Sequence, residues 1–475
     1  MEKKDSDSII CIGKELDECE HLFAIINISS EQPPPKWPEC CIYRVPKNLR
    51  KINEEAYTPK LISIGPFHHS GNEFKDMEKH KVRHFKDFLK RTRKSKEDLL
   101  EIVKVDKEKI SHCYSEDCIL GSDNHFVKMI LLDAIFIIEL FLKLEDEEED
   151  YIQLNPWMSN GIVNDLILLE NQVPFFILEK LYMFALNDSP SYNYGEEGDK
   201  QIVKQDAPSF LRLSCNFFKY YDKRKDSIID NKEVKHFTDL LRYFFCSVPG
   251  LQMKPNKGDD LDSRICATKL EDAGLKFKVV GKNDRRLLLD IRFVMNPCLR
   301  NFPCFNLSWL LACLPCLKKT FPRLERMQPI LEIPVIVIDD NTEVTFRNLI
   351  ALEQCHYPFQ PYICNYAELL DYLINSEKDV DLLVEKRIID NCIGSNEAVA
   401  KLINKLCLEI TVPQTCYSDL GKDINTYNEN PWNRIMAGMK SKFFCDFWRG
   451  AATTFAIFVT LDQIWGLVRP FVINK

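Results

Sequence analysis

DLILLENQVPFFILEKL, residues 165–181, is an apolar stretch that contains three consecutive polar residues, Glu170, Asn171 and Gln172, followed by Pro174. Proline removes a backbone donor and interrupts a helix, so the stretch predicts a helix, a short break and a second helix. The Asn and Gln amides are expected to bind the backbone groups that the break leaves open. One interpretation of these three polar residues is a buried, hydrogen-bonded structural motif, and the other is a ligand pocket.

The first of these two helices is expected to begin at Asn164 or Asp165, because both residue types are favourable N-caps. The apolar residues 166–169 follow at once and cover nearly every side of a helix. A helix that is apolar all round is normally buried. We therefore place this stretch at the centre of the core.

The composition is that of an ordinary globular protein, and the charge balance argues against nucleic-acid binding. The chain has 475 residues, of which 45% are hydrophobic and 28% are charged. The 71 acids exceed the 63 bases, giving a net charge of −8. General nucleic-acid binding depends on clustered Lys and Arg, so this balance predicts no nucleic-acid partner.

Cysteine usage indicates reduced thiols. The chain has 19 cysteines, a fraction below that of disulfide-rich scaffolds, and their spacing is irregular. The first residues lack an apolar run long enough for a signal-peptide core, so entry into the secretory route is not expected.

Periodicity predicts a mainly helical chain with a few strands. Residues 1–38 form a flexible leader, residues 41–46 and 58–70 are strand candidates, and helices are predicted over residues 73–94 and 98–114. Further helices are predicted at residues 126–142, 233–246, 342–354, 366–375 and 396–410.

The segment 126–142 is almost continuously apolar and resembles a membrane helix. It nevertheless contains Lys128, Asp133 and Glu139, and such charges are unfavourable by a few kcal/mol each near the centre of a bilayer helix. We therefore predict a helix buried in protein.

The second half of the chain is expected to contain one small antiparallel sheet. A helix over residues 267–274 with a glycine stop precedes a predicted hairpin of strands 275–280 and 287–293, and residues 331–339 form a third strand. The predicted fold class is mainly α (α+β): a large helical body, a small antiparallel sheet and one carboxy-terminal hydrophobic helix.

Eight motifs occur in an order that resembles a known plant family. They are CIYRVP (41–46), AYTPKLISIGPFHH (56–69), MEKHKVR (77–83), LLDAIFIIEL (131–140), DLILLENQVPFF (165–176), ATKLEDAGLKFK (267–278), LEIPVIVIDD with RNLIALEQC (331–355) and IGSNEAVAKLIN (393–404). Nearly the whole chain is similar to the plant family called domain of unknown function 247. The resemblance implies a plant protein with a large amino-terminal domain, one carboxy-terminal membrane helix and no established enzymatic activity. Some members are associated with pollen self-incompatibility in grasses, which implies recognition or signalling.

The predicted organisation is the leader 1–38, a main domain 39–440 and an anchor 441–475. An apolar, cysteine-rich insert, residues 294–330, departs from the short connection usual in the family. Cys313 and Cys316 have the spacing of a zinc knuckle, but the other cysteine pair does not, and the insert is very apolar. Zinc binding, contact with a membrane surface and packing against the body all remain open.

The carboxy-terminal segment 450–468 has nineteen residues between Arg449 and Arg469. As a helix it would be about 28 Å long, against roughly 30 Å for a hydrocarbon core. Insertion of the apolar residues of this segment into a bilayer is favourable, but insertion of Asp462 is unfavourable. The net free energy of insertion is therefore close to zero. The predicted anchor residues are Gly450, Phe455, Phe458, Leu461, Ile464, Trp465 and Val468. A buried or amphipathic helix is the alternative.

No catalytic, cofactor or metal site follows from the motifs. The chain has no phosphate-binding glycine loop, zinc-protease helix or serine nucleophile elbow. His80 and His84 are one helical turn apart, but neighbouring Lys and Arg residues disfavour a metal there. Ser63, Cys355 and His356 have residue types suited to a nucleophile and base, without a spacing that supports the chemistry.

The sequence therefore predicts a non-enzymatic plant protein tethered to a membrane by its carboxy-terminal helix, with a protein partner and no identified small-molecule substrate. The main domain is expected in the cytosol, because Lys440, Lys442 and Arg449 outnumber the bases after the helix. A hydrolase or transferase of an unrecognised type and a soluble interaction module with a buried tail are the alternatives.

Overall fold

The structure is a computed structural model, and it describes a large, mainly helical body with three small sheets. It describes residues 37–69, 74–116, 123–148, 150–186, 208–222, 233–246, 251–255, 265–280, 287–296 and 328–435, and then 438, 452–453, 455–456, 459–460 and 462–465. Most of the predicted leader and most of the cysteine-rich insert lie outside these ranges.

Fifteen α-helices are assigned within the described residues, in addition to a short 3-10 helix at Glu54–Tyr57. They are α1 Lys47–Ile52, α2 Lys75–Thr92, α3 Lys96–Val105, α4 Lys107–His112, α5 Asp123–Glu145, α6 Pro156–Leu166, α7 Phe175–Leu186, α8 Phe210–Phe217, α9 Phe237–Cys246, α10 Ala267–Asp272, α11 Thr342–His356, α12 Tyr362–Leu373, α13 Glu377–Glu385, α14 Asn396–Leu406 and α15 Ser418–Glu429.

The strands are short and form sheets of mixed direction. They are β1 Lys254–Pro255, β2 Lys276–Val279, β3 Arg292–Val294, β4 Ile330–Ile333, β5 Ile336–Ile338, β6 Ile389–Asn391 and β7 Gln414–Thr415. β4 lies between β2 and β3, parallel to the first and antiparallel to the second. The β1–β7 pair is antiparallel and the β5–β6 pair is parallel.

The predicted antiparallel hairpin is therefore wrong, because β2 and β3 do not pair with each other. Their common partner β4 follows them in the chain and separates them in the sheet. The predicted third strand is also divided. Pro334 lies between β4 and β5, and proline lacks the donor that a continuous ladder requires, so the two parts join different sheets.

Neither predicted amino-terminal strand forms a ladder. The first contributes only an isolated parallel bridge between Ile42 and Tyr114, and residues 58–69 are not assigned to a strand. The apolar pattern of these segments reflects burial rather than β pairing, since Ile42, Ile62 and Ile64 have no exposed side-chain surface.

Helix α5 confirms the predicted buried helix and organises the amino-terminal half. It packs along α2 and also contacts α3, α7 and α8. Asp133 and Glu139 are each only 1% exposed. Two charged groups in the middle of a core need partners, and α2 provides them, as described below.

The stretch 165–181 is broken as predicted, but the first helix lies earlier in the chain. Helix α6 ends at Leu166, so Asn164 and Asp165 stand in its last turn rather than at an N-cap. Its start is explained by Pro156, which occupies the first turn, where its missing donor is harmless. Residues 167–174 form the break, and α7 begins directly after Pro174.

Candidate functional site

Glu170 is the centre of a buried cluster of charge. Its carboxylate accepts a hydrogen bond from the Val45 backbone N–H at 2.7 Å and lies 2.6 Å from Arg50 Nη2 and 3.2 Å from Arg44 Nη1. His68 Nε2 is 3.1 Å away. Glu170 thus connects the break after α6 to the amino-terminal segment that contains CIYRVP.

The environment strongly favours the charged form of Glu170. Burial is the largest influence and by itself would raise the pKa of this carboxyl group, but the hydrogen bonds from His68, Arg50 and Val45 N–H lower the pKa to about 2. A side chain whose carboxylate is held by this many donors acts as a clamp rather than as a general base near neutral pH.

Asp165 and Asn171 hold the segment that was predicted to be a strand. One Asp165 oxygen accepts from Lys60 N–H at 2.9 Å, and the other accepts from Leu61 N–H at 2.6 Å and Ile62 N–H at 2.8 Å. Asn171 Oδ1 accepts from Ile64 N–H at 2.7 Å. These side chains replace the neighbouring strand that a ladder would supply.

The two amides of the polar motif also bind the carbonyl groups of the break. Asn171 Nδ2 donates to the carbonyl oxygens of Ile62 and Asp165 at 3.0 and 2.9 Å. Gln172 Nε2 donates to the carbonyl oxygens of Leu166 and Leu168 at 2.6 and 2.7 Å. The amides therefore bind backbone groups at the break, as the sequence predicts, and both side chains are completely buried.

Lys81 and Asp133 form a second buried contact, between α2 and α5. Lys81 Nζ donates to Asp133 Oδ1 and to the Ser63 carbonyl oxygen, both at 2.6 Å. Burial alone would lower the pKa of Lys81, but Asp133 and Glu78 raise it, so the amine stays protonated. The other Asp133 oxygen accepts from Gly65 N–H at 2.8 Å, which fixes the turn after residues 62–64.

A third cluster ties the carboxy-terminal half to the same core. Arg242 of α9 donates to Glu353 of α11 at 2.9 Å, and Glu353 accepts from the N–H groups of Ile363 and Cys364 at the start of α12. Here the carboxylate also complements the positive end of a helix dipole.

Beside this cluster, Tyr357 OH donates to Asp239 at 2.7 Å, and His236 Nε2 lies 3.0 Å from the Cys41 carbonyl oxygen. Burial lowers the pKa of His236 to about 4, so its ring is neutral at physiological pH and donates to that carbonyl. The His236 ring therefore joins α9 to the amino-terminal segment.

The candidate nucleophile Ser63 and the candidate base His356 do not interact: within the described residues the Ser63 hydroxyl is buried without a hydrogen-bond partner, and His356 contacts a different residue. Ser63 is only 2% exposed, on the segment below Lys81. His356 Nδ1 instead lies 3.0 Å from Tyr43 OH. In the described part of the chain, no group of three or more His, Cys, Asp or Glu side chains is arranged to hold a metal ion.

His80 and His84 do not face a common site. The His80 ring stacks on Tyr151 at 5.4 Å between centroids, whereas His84 is fully buried with its Nε2 3.4 Å from Asp150. Asp150 is itself only 2% exposed, so it lies in the core beside His84.

The described residues of the predicted anchor are helical and exposed. The exposed fractions are 72% for Phe455, 54% for Ile464 and 54% for Trp465. Gly450, Phe458, Leu461 and Val468 lie outside the described residues. No helix in the described part of the chain combines the length and the apolar character needed to cross a membrane.

Sequence reasoning missed the partners of the buried charges. Lys81, Arg91 and Arg242 each neutralise a carboxylate, and Arg91 Nε lies 3.1 Å from Glu139. The signal was available, because Asp133 and Glu139 stand in an apolar helix that has to pair them. Sequence spacing alone does not show which cation provides the pair.

Comparison with known proteins gives a consistent picture. A family model described as "Plant protein of unknown function", DUF247, matches residues 42–461. The chain is 28% identical to the UPF0481 protein At3g47200 of Arabidopsis thaliana, an alignment that covers 89% of this chain and 84% of the relative. It is 24% identical to the putative UPF0481 protein At3g02645 of the same plant, covering 82% of each. No solved structure matches significantly.

Proposed function

Because this chain belongs to the DUF247 family of plant proteins of unknown function, we propose that it is a non-enzymatic recognition protein that its carboxy-terminal helix tethers to a membrane. The observation that carries the tether is the exposure of Phe455, Ile464 and Trp465 on that helix. Large apolar side chains on one short segment are unfavourable in water and favourable in a bilayer.

Tryptophan and lysine residues flank the apolar segment in the manner of an interfacial anchor. Trp448 and Trp465 are suited to the headgroup region, where an aromatic ring meets both lipid and water. Lys440, Lys442 and Arg449 precede the helix, and the positive-inside rule then puts the main domain in the cytosol.

The contacts of the buried charged groups in the described domain support a role in recognition. Glu170, Asp133 and Glu353 are buried and hold backbone N–H groups and cations across elements. A catalytic site instead presents convergent titratable groups to a pocket. The clamped carboxylates therefore favour a rigid binding domain over a hydrolase or transferase.

Three large apolar side chains that are close in sequence are exposed, and we infer that they provide a surface, called the patch below, for a protein partner. Tyr151, Leu154 and Trp157 are 49%, 64% and 62% exposed and occur within seven residues. Patches of this kind often mark interaction sites. Tyr151 is fixed by its stacking on His80.

The tether is tested by translating the full chain with microsomes and extracting the membranes with alkali. Asn27, Asn187 and Asn306 provide natural glycosylation sites, and one more is engineered after Lys475. We expect the chain to resist extraction and to be glycosylated at the engineered site alone. Glycosylation at a natural site would reverse the orientation, and a chain released by alkali would overturn the tether in favour of a soluble interaction module.

The proposed recognition role is tested by crosslinking in plant membranes with the variant Trp157→Ser and a matched control, Phe359→Ser. Phe359 is also an exposed aromatic residue, 67% exposed, in the connection between α11 and α12. A protein crosslinked to the wild type and to the control but lost from Trp157→Ser supports recognition at the patch. The same crosslinks in all three chains would remove the patch from the proposal.

A further inference from the structure

We propose that Cys41 and Cys113 are a modification site, a dithiol that peroxide converts reversibly to a disulfide. Both are free thiols in the structure. The proposal rests on the backbone register that places them side by side, on the cavity that both line and on the separation of the adjacent Cys40 from this pair. It goes beyond the proposed tether and recognition, since it concerns the amino-terminal segment of the domain.

The backbone register brings the two residues together. Ile42 pairs with Tyr114 in an isolated parallel bridge, so the residues that precede them, Cys41 and Cys113, are neighbours across it. The N–H groups of both Cys41 and Ile42 donate to the Cys113 carbonyl oxygen at 2.9 Å. Paired strands lie about 4.8 Å apart, which is within the range of Cα separations that a disulfide spans.

The thiols also interact with each other. A hydrogen bond with the Cys113 side chain is the largest influence on the Cys41 thiol, followed by burial, and both raise the pKa of Cys41. Cys113 Sγ donates to the Lys109 carbonyl oxygen at 3.3 Å. The Cys41 thiol therefore has the Cys113 thiol as a direct neighbour in the core.

A small cavity gives access to the pair. It measures about 160 Å³, and both cysteines line it together with Phe175, Phe176 and Lys109. Lys109 Nζ lies 4.2 Å from the centre of the Phe176 ring, which fixes that wall. A cavity of this size has room for hydrogen peroxide, which is little larger than water.

Cys40 provides a natural comparison. It is buried, as Cys41 is, but it belongs to the smaller core cluster with Tyr43 and Leu49, whereas Cys41 and Cys113 share the main core. Cys40 follows a turn, in which its N–H donates to the Trp37 carbonyl oxygen at 2.9 Å, whereas Cys41 belongs to the segment that pairs with Cys113. The structure therefore selects Cys41 as the partner of Cys113.

The chemistry balances with peroxide as oxidant. Because the pKa of Cys41 is raised, we assign the first attack to Cys113: its sulfur takes one peroxide oxygen, the O–O bond breaks, and a sulfenic acid and water are formed. The Cys41 sulfur then attacks the sulfenic sulfur, and the hydroxyl group leaves as water with the Cys41 proton. Overall, two thiols and one hydrogen peroxide give one disulfide and two waters, and a dithiol reductant reverses the change.

The test treats the folded full chain with hydrogen peroxide, blocks the remaining thiols with N-ethylmaleimide and maps linked peptides by mass spectrometry. We expect a peptide linking residues 41 and 113 that increases roughly tenfold over the untreated sample and disappears with dithiothreitol. Cys41→Ser and Cys113→Ser should each abolish it, and Cys40→Ser should leave it unchanged.

A second measurement does not depend on the variants folding. Wild-type protein is incubated with peroxide after brief denaturation and also in the folded state. A link between residues 41 and 113 that forms preferentially in the folded protein supports the proposal. Its absence from the folded protein, or the same yield with many other cysteine pairs, overturns it.

Discussion

Glu170 joins more parts of the structure than its position in the sequence suggests. Its carboxylate binds one backbone N–H and three cationic or imidazole side chains from the first part of the chain. Once one partner of such a group is removed, the others are left buried and uncompensated. At this site a neutral side chain is therefore much less favourable than a charged one.

We predict that Glu170→Gln destabilises the protein by about 3 to 5 kcal/mol, because Arg50 loses its buried anionic partner. Chemical denaturation of both proteins measures this difference. Glu55→Gln is the matched control: Glu55 is exposed and 3.8 Å from Lys60, so its loss should change the unfolding free energy by less than about 0.5 kcal/mol. Equal effects of the two substitutions would contradict the clamp.

The stabilisation by Glu170 should also depend on pH. The folded protein holds the pKa of Glu170 at about 2, below its ordinary value of 4.5, so the stabilisation is complete above pH 4.5 and is lost as the pH falls toward 2. The difference between wild type and Glu170→Gln should shrink across that window by about 3 kcal/mol. Denaturation at a series of pH values checks this, and a constant difference would refute it.

At the level of elements, the helices and the strand positions of the second half were predictable, whereas the strand pairing and the two amino-terminal segments were not. The helix predicted over residues 342–354 is observed as α11. Helix α10 ends at Asp272, and Gly274, with φ of +93°, follows as the predicted glycine stop. Apolar periodicity and end signals are local, so sequence reveals them. Helix α6 was placed too late because residues 166–169 are apolar in the break as well as in the helix.

The strand errors have a common physical cause. Residues 58–69 have the composition of a strand, but their N–H groups bind Asp165, Asn171 and Asp133 rather than a neighbouring strand. Those partners are 68 to 107 residues away in the chain. The predicted hairpin failed for the same reason, because its strands pair with β4, which follows the insert.

The turn after residues 62–64 should be intolerant of any side chain. Gly65 has φ of +71°, and a Cβ there would lie 2.4 Å from the Gln172 carbonyl oxygen. We predict that Gly65→Ala destabilises by about 4 kcal/mol through left-handed strain and overpacking. Thermal or chemical unfolding measures the change.

Gly394 is a control in which left-handed backbone strain occurs without overpacking. It has φ of +88°, but a Cβ at this position would meet nothing within 4 Å. Gly394→Ala should therefore show only the strain of about 1 to 2 kcal/mol. If both variants lose the same amount, close packing against Gln172 is not the cause.

At the scale of the whole molecule, we expect the carboxy-terminal helix to determine membrane association without contributing to the stability of the main domain. The described side chains of the carboxy-terminal helix are exposed except for the half-buried Thr453, and none belongs to either of the two core clusters. We predict that removing residues 441–475 abolishes membrane association and changes the free energy of unfolding of the remaining domain by less than about 0.5 kcal/mol. Membrane flotation measures the association, and chemical denaturation measures the free energy of unfolding.

Asp462 lies within that helix and is exposed. Asp462→Leu removes an unfavourable contribution of about 2.5 to 3.5 kcal/mol to insertion, so we expect stronger membrane association. Asp462→Glu keeps the charge and is the control. An unchanged membrane fraction for Asp462→Leu would count against insertion at this site.

The replacement of a strand by side chains has a consequence for how the protein tolerates genetic change. In a ladder, each amide has its own partner, so one altered codon removes little. Here the amides of Lys60, Leu61 and Ile62 all depend on the single carboxylate of Asp165. Replacing Asp165 with a residue that lacks a carboxylate would expose all three amide protons to solvent exchange together, whereas a sheet distributes this vulnerability along its length.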